Sequence, residues 1–496
     1  MILAALGLET AGSGRWPRRD VGADIWQAAC EGLTAGRWSL TGLWGDDAVV
    51  HMALIDQSDT AILTLACPDG RFPSVATHHA PAIRPERALC DLFGFTADGA
   101  PDPRPWLDHG RWGIAHPLGD ARATPGAPEP YSFLAAEGDD LHQVPVGPIH
   151  AGIIEPGHFR FHCFGETVVR LETRFGYAHK GIDALMRGAP LDRAAQLVGR
   201  ISGDSTVAYA LAFSRAVEKA SGIEAPPRAQ WLRGLMAELE RLANHLGDVG
   251  GICNDAAFPL LAAHGAMLRE EVLRASGDVF GHRMMRDMVL PGGVALDLDA
   301  AGAARLRALA DQIERRFAAI VTCYDGAASL QDRTVGTGRV ASDLARRFGA
   351  GGYVGRASGR GFDARRALPY APYDSLSFEV PVLNDGDVNA RVWIRIHEVG
   401  ESLALLRSML DRLPDGPIAT AAPARPGEGC ALVEGFRGDI LAWVRLNGDG
   451  RVTRCHLRDP SWFQWPLVEA AVEGNIIADF PLCNKSFNCA YSGCDL

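Results

Sequence analysis

Three apolar stripes at helical spacing constrain this chain more than any other feature. Trp231 to Leu246 carries Leu232, Leu235, Met236, Leu239, Leu242 and Leu246. A second run carries Leu306, Leu309, Ile313, Phe317 and Ile320, and a third Val392, Ile396, Val399, Leu403, Leu406 and Met409. Side chains three and four residues apart share one face of an α-helix. Each stripe must be buried against another element, so together they predict a helical bundle from about residue 147 onward.

The flanks read differently. Phe159 to Leu171 predicts a strand pair turning at Gly165-Glu166. Ile440–Leu446 and Val452–Leu457 predict another, turning at Asn447-Gly448-Asp449-Gly450. Before residue 125 the texture is α+β: Ala48 to Ala66 forms two apolar runs around Asp56-Gln57-Ser58-Asp59, a hairpin pattern, and Pro81 to Phe95 is a short helix closed by Gly94. Thr96 to Ser132, rich in Pro, Gly and Asp, reads as a linker or a long irregular crossing. The expected organisation is an α+β domain over 1–125, a linker over 126–146 and a mostly helical domain with small β elements over 147–496.

Composition excludes several classes. With 47% hydrophobic and 22% charged residues the chain can bury a large core. A net charge of −11 argues against nucleic acid and against docking to anionic lipid through a basic patch. No apolar run reaches the ~18–20 residues of a membrane helix; the best, Val249 to Leu268, contains Asn254, Asp255 and His264. Met1 to Leu8 is too short, and lacks the basic start, for a signal peptide. The eleven cysteines are scattered without a CxxC pair, as expected of reduced thiols. Gly336-Thr337-Gly338 lacks the third glycine and the strand–loop–helix setting of a dinucleotide fingerprint.

Short motifs then occur in a telling order. They are Gly147-Pro148-Ile149-His150 with Glu155-Pro156-Gly157-His158-Phe159-Arg160, Tyr177-Ala178-His179-Lys180-Gly181-Ile182-Asp183, and Pro226-Pro227-Arg228-Ala229-Gln230. Glu238-Leu239-Glu240-Arg241-Leu242, Arg333-Thr334-Val335-Gly336, Arg356-Ala357-Ser358-Gly359 and Arg437-Gly438-Asp439 follow. The series resembles the large subunit of membrane-bound, energy-converting nickel–iron hydrogenases of the formate hydrogenlyase and hydrogenase-4 type. It equally resembles the complex I counterpart of that subunit. Phe72-Pro73-Ser74-Val75, Glu86-Arg87 and Asp91-Leu92-Phe93-Gly94 resemble the complex I small subunit that hydrogenlyases carry fused in front. The resemblance implies an α+β fold: a small-subunit-like module, then the hydrogenase large-subunit fold.

The resemblance also implies where nickel ligands should lie. The family holds its metals with two CxxC pairs, since soft thiolates suit a nickel that changes oxidation state. Counting from Gly199-Arg200-Ile201, the first pair falls on Ser202 and Ser205, and the family's trailing histidine on Tyr209. The second pair falls on Ala490 and Gly493, with Cys489 and Cys494 one position outside on either side. Hydroxyls are poor soft-metal ligands. No metal ligand set is therefore expected in this chain, and the end at Asp495-Leu496, without a cleavable extension, is the end expected of a chain that never receives nickel. Ser202 and Ser205 read either as caps of a buried turn or as walls of a polar pocket with Asp204 as proton acceptor. Cys489 and Cys494 read as buried thiols, or as a disulfide or another metal site with Cys483.

Quinone is the other ligand the resemblance implies, held between a histidine of the opening loop, here His150 or His158, and a tyrosine. That tyrosine position is Gly203, and Tyr209 is expected to face elsewhere. Arg437 resembles the arginine that overhangs the metals. Arg356, Asp183, Arg200 and Asp439 supply further charge to a cavity that would serve a new ligand or a proton route, although each also fits a structural ion pair. The implied role is that of a peripheral subunit on the cytoplasmic side of the inner membrane. Its implied partners are an iron–sulfur small subunit and antiporter-like membrane subunits. Electrons would pass to an acceptor other than protons, or redox change would be coupled to ion translocation. The alternative is a non-catalytic scaffold. An open polar cavity around Ser202, Asp204, Arg437 and Cys489 would favour catalysis, and a cavity filled by side chains a scaffold.

Overall fold

The computed structural model describes residues 1–9, 15–119, 130–138, 140–151 and 154–496. All three stripes are helices. Pro227–Asp255, Ala300–Gly326 and Val388–Asp411 carry them, and every residue of the three stripes is buried. Burying the five or six side chains of a stripe removes about 8–18 kcal/mol of unfavourable hydration, an upper estimate. Pro259–Phe280 runs beside Pro227–Asp255, and Gly250 and Gly265 allow the close approach: a Cβ on Gly265 would stand 2.8 Å from the Leu246 carbonyl oxygen.

Two three-stranded antiparallel sheets flank the bundle. Gly427–Gly435, Gly438–Leu446 and Val452–Arg458 form one, with the helix Thr206–Ser221 laid across it. That helix sits so low that a Cβ on Gly427 or Gly429 would come within 2.0 Å of the Ala220 or Ala216 carbonyl oxygen. Both predicted hairpins are present. The strand Gly427–Gly435 was not foreseen, because both its faces are covered and it lacks the alternation that marks a half-exposed strand.

The other sheet pairs Leu141–Val146 with His158–Phe164 and Thr167–Arg174. Residues 141–146 had been assigned to the linker; they are a strand, whose edge position leaves its hydrophobic signal weak. Of the remaining linker positions, 126–129 and 139 lie outside the described residues. The Pro/Gly/Asp-rich crossing opens with the short strand Thr96–Asp98, and its described stretch to residue 119 is otherwise irregular but fastened down. The Trp106, Leu107 and Asp108 N–H groups all donate to Asp91 Oδ2 (2.7, 2.7 and 3.2 Å), and Trp106 and Leu107 are buried.

The N-terminal module holds a mixed sheet in the order Arg18–Val21, Asp59–Ala66, Val49–Asp56, Ser39–Asp46. The Asp56–Asp59 hairpin turns at Gln57-Ser58, and Gly94 ends the helix Ile83–Phe93 in the left-handed conformation (φ +77°). One face of this sheet covers Trp26, Leu33 and Leu89. The other, through Trp44, Ala53, Ile55 and Ile62, packs on Leu432, Leu441 and Trp443 of the C-terminal sheet. The module is therefore welded to the second domain sheet on sheet. Among the described residues no helix is long and apolar enough to cross a membrane.

Candidate functional site

The site is assembled by one hairpin tip, one helix start and the C-terminal segment. Gly435 pairs with Gly438, so Phe436 and Arg437 form a two-residue turn that projects the guanidinium. Gly438 (φ +136°) is required there, since a Cβ would meet the Gly352 nitrogen at 2.8 Å. Opposite it, Ser202 is extended, Gly203–Ser205 make a single 3-10 turn, and Thr206 begins the long helix. The Glu240 carboxylate accepts the Val207 and Ala208 N–H groups at that helix start (2.7 and 3.0 Å), so it supplies the N-terminal cap. Burial raises the Glu240 carboxyl to about 8.

Arg437 grips Asp204 with both nitrogens, Nη1 to Oδ1 at 2.8 Å and Nη2 to Oδ2 at 2.5 Å. Ser202 Oγ donates to Asp204 Oδ1 (2.7 Å), and Ser205 Oγ accepts from Arg437 Nη1 (3.1 Å). Arg437 Nε donates to the Asn488 carbonyl. Burial opposes ionisation of Asp204, but Arg437 outweighs it and holds the carboxyl down at about 2.

A second pair lies alongside. Tyr209 OH donates to Asp459 Oδ2 (2.7 Å), whose other oxygen accepts the Ser461 N–H (2.8 Å). Both Tyr209 and Asp459 are fully buried. Ser205 precedes the helix Thr206–Ser221, in the 3-10 turn with Gly203, and Tyr209, one turn into the helix, reaches the Asp459 carboxylate. Ala490 and Gly493 complete the ring of four positions. A Cβ built on Gly493 would stand 2.6 Å from Asp459 Oδ2 and 3.0 Å from the Ala490 methyl. The space for a side chain at 493 is already taken by a carboxylate.

Cys489 Sγ lies 3.7 Å from Gln464 Oε1, and Gln464 donates to the Arg437 carbonyl (2.8 Å). Cys494 is buried beside Asp459 and Asp495. Burial, then the neighbouring carboxylates, push the Cys494 thiol well up, and burial pushes that of Cys489 up too. All eleven cysteines are free. Among the described residues no three His, Cys, Asp or Glu side chains converge as a metal-binding group.

The structure brings together Ser202, Asp204, Ser205, Arg437, Cys489 and Cys494, and disperses the rest of the expected site. Arg200 is half-exposed and bound to Asp287 (Nη2–Oδ2, 2.7 Å). Asp439 pairs with Arg458, whose Nη1 also donates to the Asp439 carbonyl (2.6 Å). Arg356 is spent in a buried network with Glu398 (2.6 Å) and Glu434 (2.9 Å). His158 accepts from Arg160 Nε (3.3 Å) and lies against Phe133. Asp183 lies at the seam with the N-terminal module. His150 reaches Tyr491, with Nε2 3.4 Å from its OH, and burial lowers its basicity. Glu155 accepts the Ser492 N–H next door (2.9 Å). Asp459 and Gln464 were missed; Asp459-Pro460-Ser461 signals only a helix start, and nothing local announces what its carboxylate faces.

The comparisons define a class, that of chains fusing two modules that respiratory-chain family models match. Residues 24–126 match the family of the respiratory-chain NADH dehydrogenase 30 Kd subunit, and residues 260–425 and 421–496 that of the 49 Kd subunit. The chain is 32% identical to formate hydrogenlyase subunit 5 of Escherichia coli (strain K12), over 86% of this chain and 77% of that one. It is 32% identical to the carbon monoxide-induced hydrogenase of Rhodospirillum rubrum, over 70% and 97%. A chain in the structure of the membrane-bound sulfane sulfur reductase, an archaeal respiratory membrane complex, superposes with a TM-score of 0.69 at 27% identity, covering 73% of this chain and all of that one. The chain belongs to the family that unites these hydrogenase subunits with the NADH dehydrogenase 49 Kd subunit, and it carries the 30 Kd-type module fused in front.

Proposed function

We propose that this chain is a peripheral subunit of a membrane-bound, energy-converting oxidoreductase complex, and that it holds no nickel–iron centre. It bridges an iron–sulfur subunit and antiporter-like membrane subunits on the cytoplasmic face, and redox change in the partner is coupled through it to ion translocation. What supports this reading is the packing around the four positions that the resemblance gives to the thiolates. Two hydroxyls, a methyl and a hydrogen stand where four thiolates would be needed, the Arg437–Asp204 pair fills one side, and the Asp459 carboxylate fills the space at Gly493. Oxygen donors of this kind do not fit a redox-switching nickel. Metal analysis of the purified complex tests the proposal: iron without nickel is expected, and nickel stoichiometric with this chain refutes it.

One observation favours a second reading, in which a quinone-like acceptor is reduced in this chain. His150 on the opening loop and Tyr491 in the C-terminal segment stand side by side, offering a nitrogen and a hydroxyl to one head group. Under that reading Tyr491→Phe lowers quinone reductase activity of the complex at least tenfold with assembly unchanged. Under the bridging reading it leaves electron flow intact.

A further inference from the structure

Away from this site, a cavity of about 40 Å³ lies at the seam where the N-terminal module meets the C-terminal sheet. Its walls are mostly apolar, including Leu43, Leu89, Phe93 and Trp462. Its polar lining is unusual because so much of it lacks a partner. Asp183 Oδ1, Arg454 Nε and Nη1, His456 Nε2 and Trp44 Nε1 are all buried without a hydrogen bond. Arg454 spends only Nη2, on the Gly45 carbonyl (2.9 Å), and its nearest carboxylate, Asp46, stands off Nε at 3.5 Å. His456 is stacked on Trp44 (centroids 4.7 Å, 10°), so its ring cannot turn away to find a partner.

Leaving five buried polar atoms unpaired would cost roughly 1–3 kcal/mol each. A cavity of this size admits about three waters at ~10–15 Å³ each, and water both donates and accepts. The unpaired atoms comprise firm donors on Arg454 and Trp44, one carboxylate oxygen, and an imidazole nitrogen that serves either way. Water satisfies that set where a single anion would be repelled by Asp183.

We propose that the seam cavity is a hydrated proton-holding site in which Asp183 exchanges a proton with water bridging it to Arg454, His456 and Trp44. The proton arrives on the water as hydronium; its O–H bond breaks as one forms on Asp183, and the reverse step returns it. Arg454 stays protonated throughout and offsets the carboxylate when the proton leaves. The charged and titratable groups facing Asp183 are Arg454, Cys455, His456 and Arg458 from the strand Val452–Arg458, with Asp46 behind Arg454 and His179 and Asp495 across the cavity. Burial raises the Asp183 carboxyl to about 6 against the opposing pull of Arg454, within reach of ordinary solution pH. The site stands independently of whether the Ser202–Arg437 cluster binds metal.

Infrared titration of the full chain between pH 5 and 8 tests it. A carboxylic-acid C=O band is expected that shifts in D₂O and fades with a midpoint near 6. It is absent in Asp183→Asn and displaced but present in Asp183→Glu. Ala88→Leu, which fills the cavity and expels its water, raises the midpoint by about one unit or more, since desolvation favours the neutral acid. The proposal falls if no band depends on Asp183, for the carboxyl then exchanges no proton across this range. It also falls if Ala88→Leu leaves the midpoint in place, for the cavity is then dry. Should Asp183→Asn fail to fold, the wild-type titration and Ala88→Leu still decide.

Discussion

Removing the positive half of the Arg437–Asp204 pair should cost a calculable amount. Asp204 titrates at about 2, whereas an unfolded aspartate titrates at about 3.9, and each unit is worth about 1.36 kcal/mol. Net of the burial that opposes it, and with the Ser202 hydrogen bond included, the environment led by Arg437 thus contributes roughly 2.6 kcal/mol, reduced to about 2 kcal/mol because water screens a carboxylate whose side chain is 28% exposed. At ~2.1 cal/mol/K per residue, the unfolding entropy of 496 residues is about 1 kcal/mol/K, so the loss reads as a fall in Tm of about 2 °C. Calorimetry of Arg437→Leu, Asp204→Asn and the double variant closes a thermodynamic cycle, and the coupling should be near 2 kcal/mol. The sign with pH is fixed. A carboxylate with a depressed pKa contributes its full stabilisation above the unfolded value and loses it as pH falls through the folded one. The gap between wild type and Arg437→Leu should therefore be complete above about pH 4 and close toward pH 2. Additive single effects, or a gap constant down to pH 2.5, would refute the reasoning.

Three further outcomes follow from the geometry. Tyr209→Phe deprives Asp459 Oδ2 of its donor and should cost about 1–3 kcal/mol in thermal denaturation, with the Asp459→Asn, Tyr209→Phe pair less than additive. Gly493→Cys drives a Cβ into Asp459 and should destabilise by about 1–3 kcal/mol, most of it recovered when Asp459→Ala is added; a neutral Gly493→Cys would mean the space is not filled. Gly429→Ala pushes a methyl to 2.0 Å from the Ala216 carbonyl and should lift the helix Thr206–Ser221 off its sheet, seen as insoluble protein or a Tm several degrees lower.

The sequence by itself determined the three striped helices, the helix closed by Gly94, three hairpins and the order of the modules. These are local properties: a stripe such as Leu232 to Leu246 or a break such as Asp56 to Asp59 contains its own structural instruction in a dozen residues. The family resemblance also pointed to Ser202, Ser205, Ala490 and Gly493, at fixed offsets from motifs, as the positions where the family's thiolates would stand. What occupies the space between those positions was decided only by the tertiary structure. Asp459 lies 250 residues from Tyr209, and Arg437 lies 233 from Asp204; no periodicity links partners so far apart. The same holds for Arg200, Asp439 and Arg356, whose charge was legible but whose partners Asp287, Arg458 and Glu398 were not. A buried charge must be matched wherever the fold brings an opposite one, and that meeting is a property of packed chain segments rather than of any stretch of sequence.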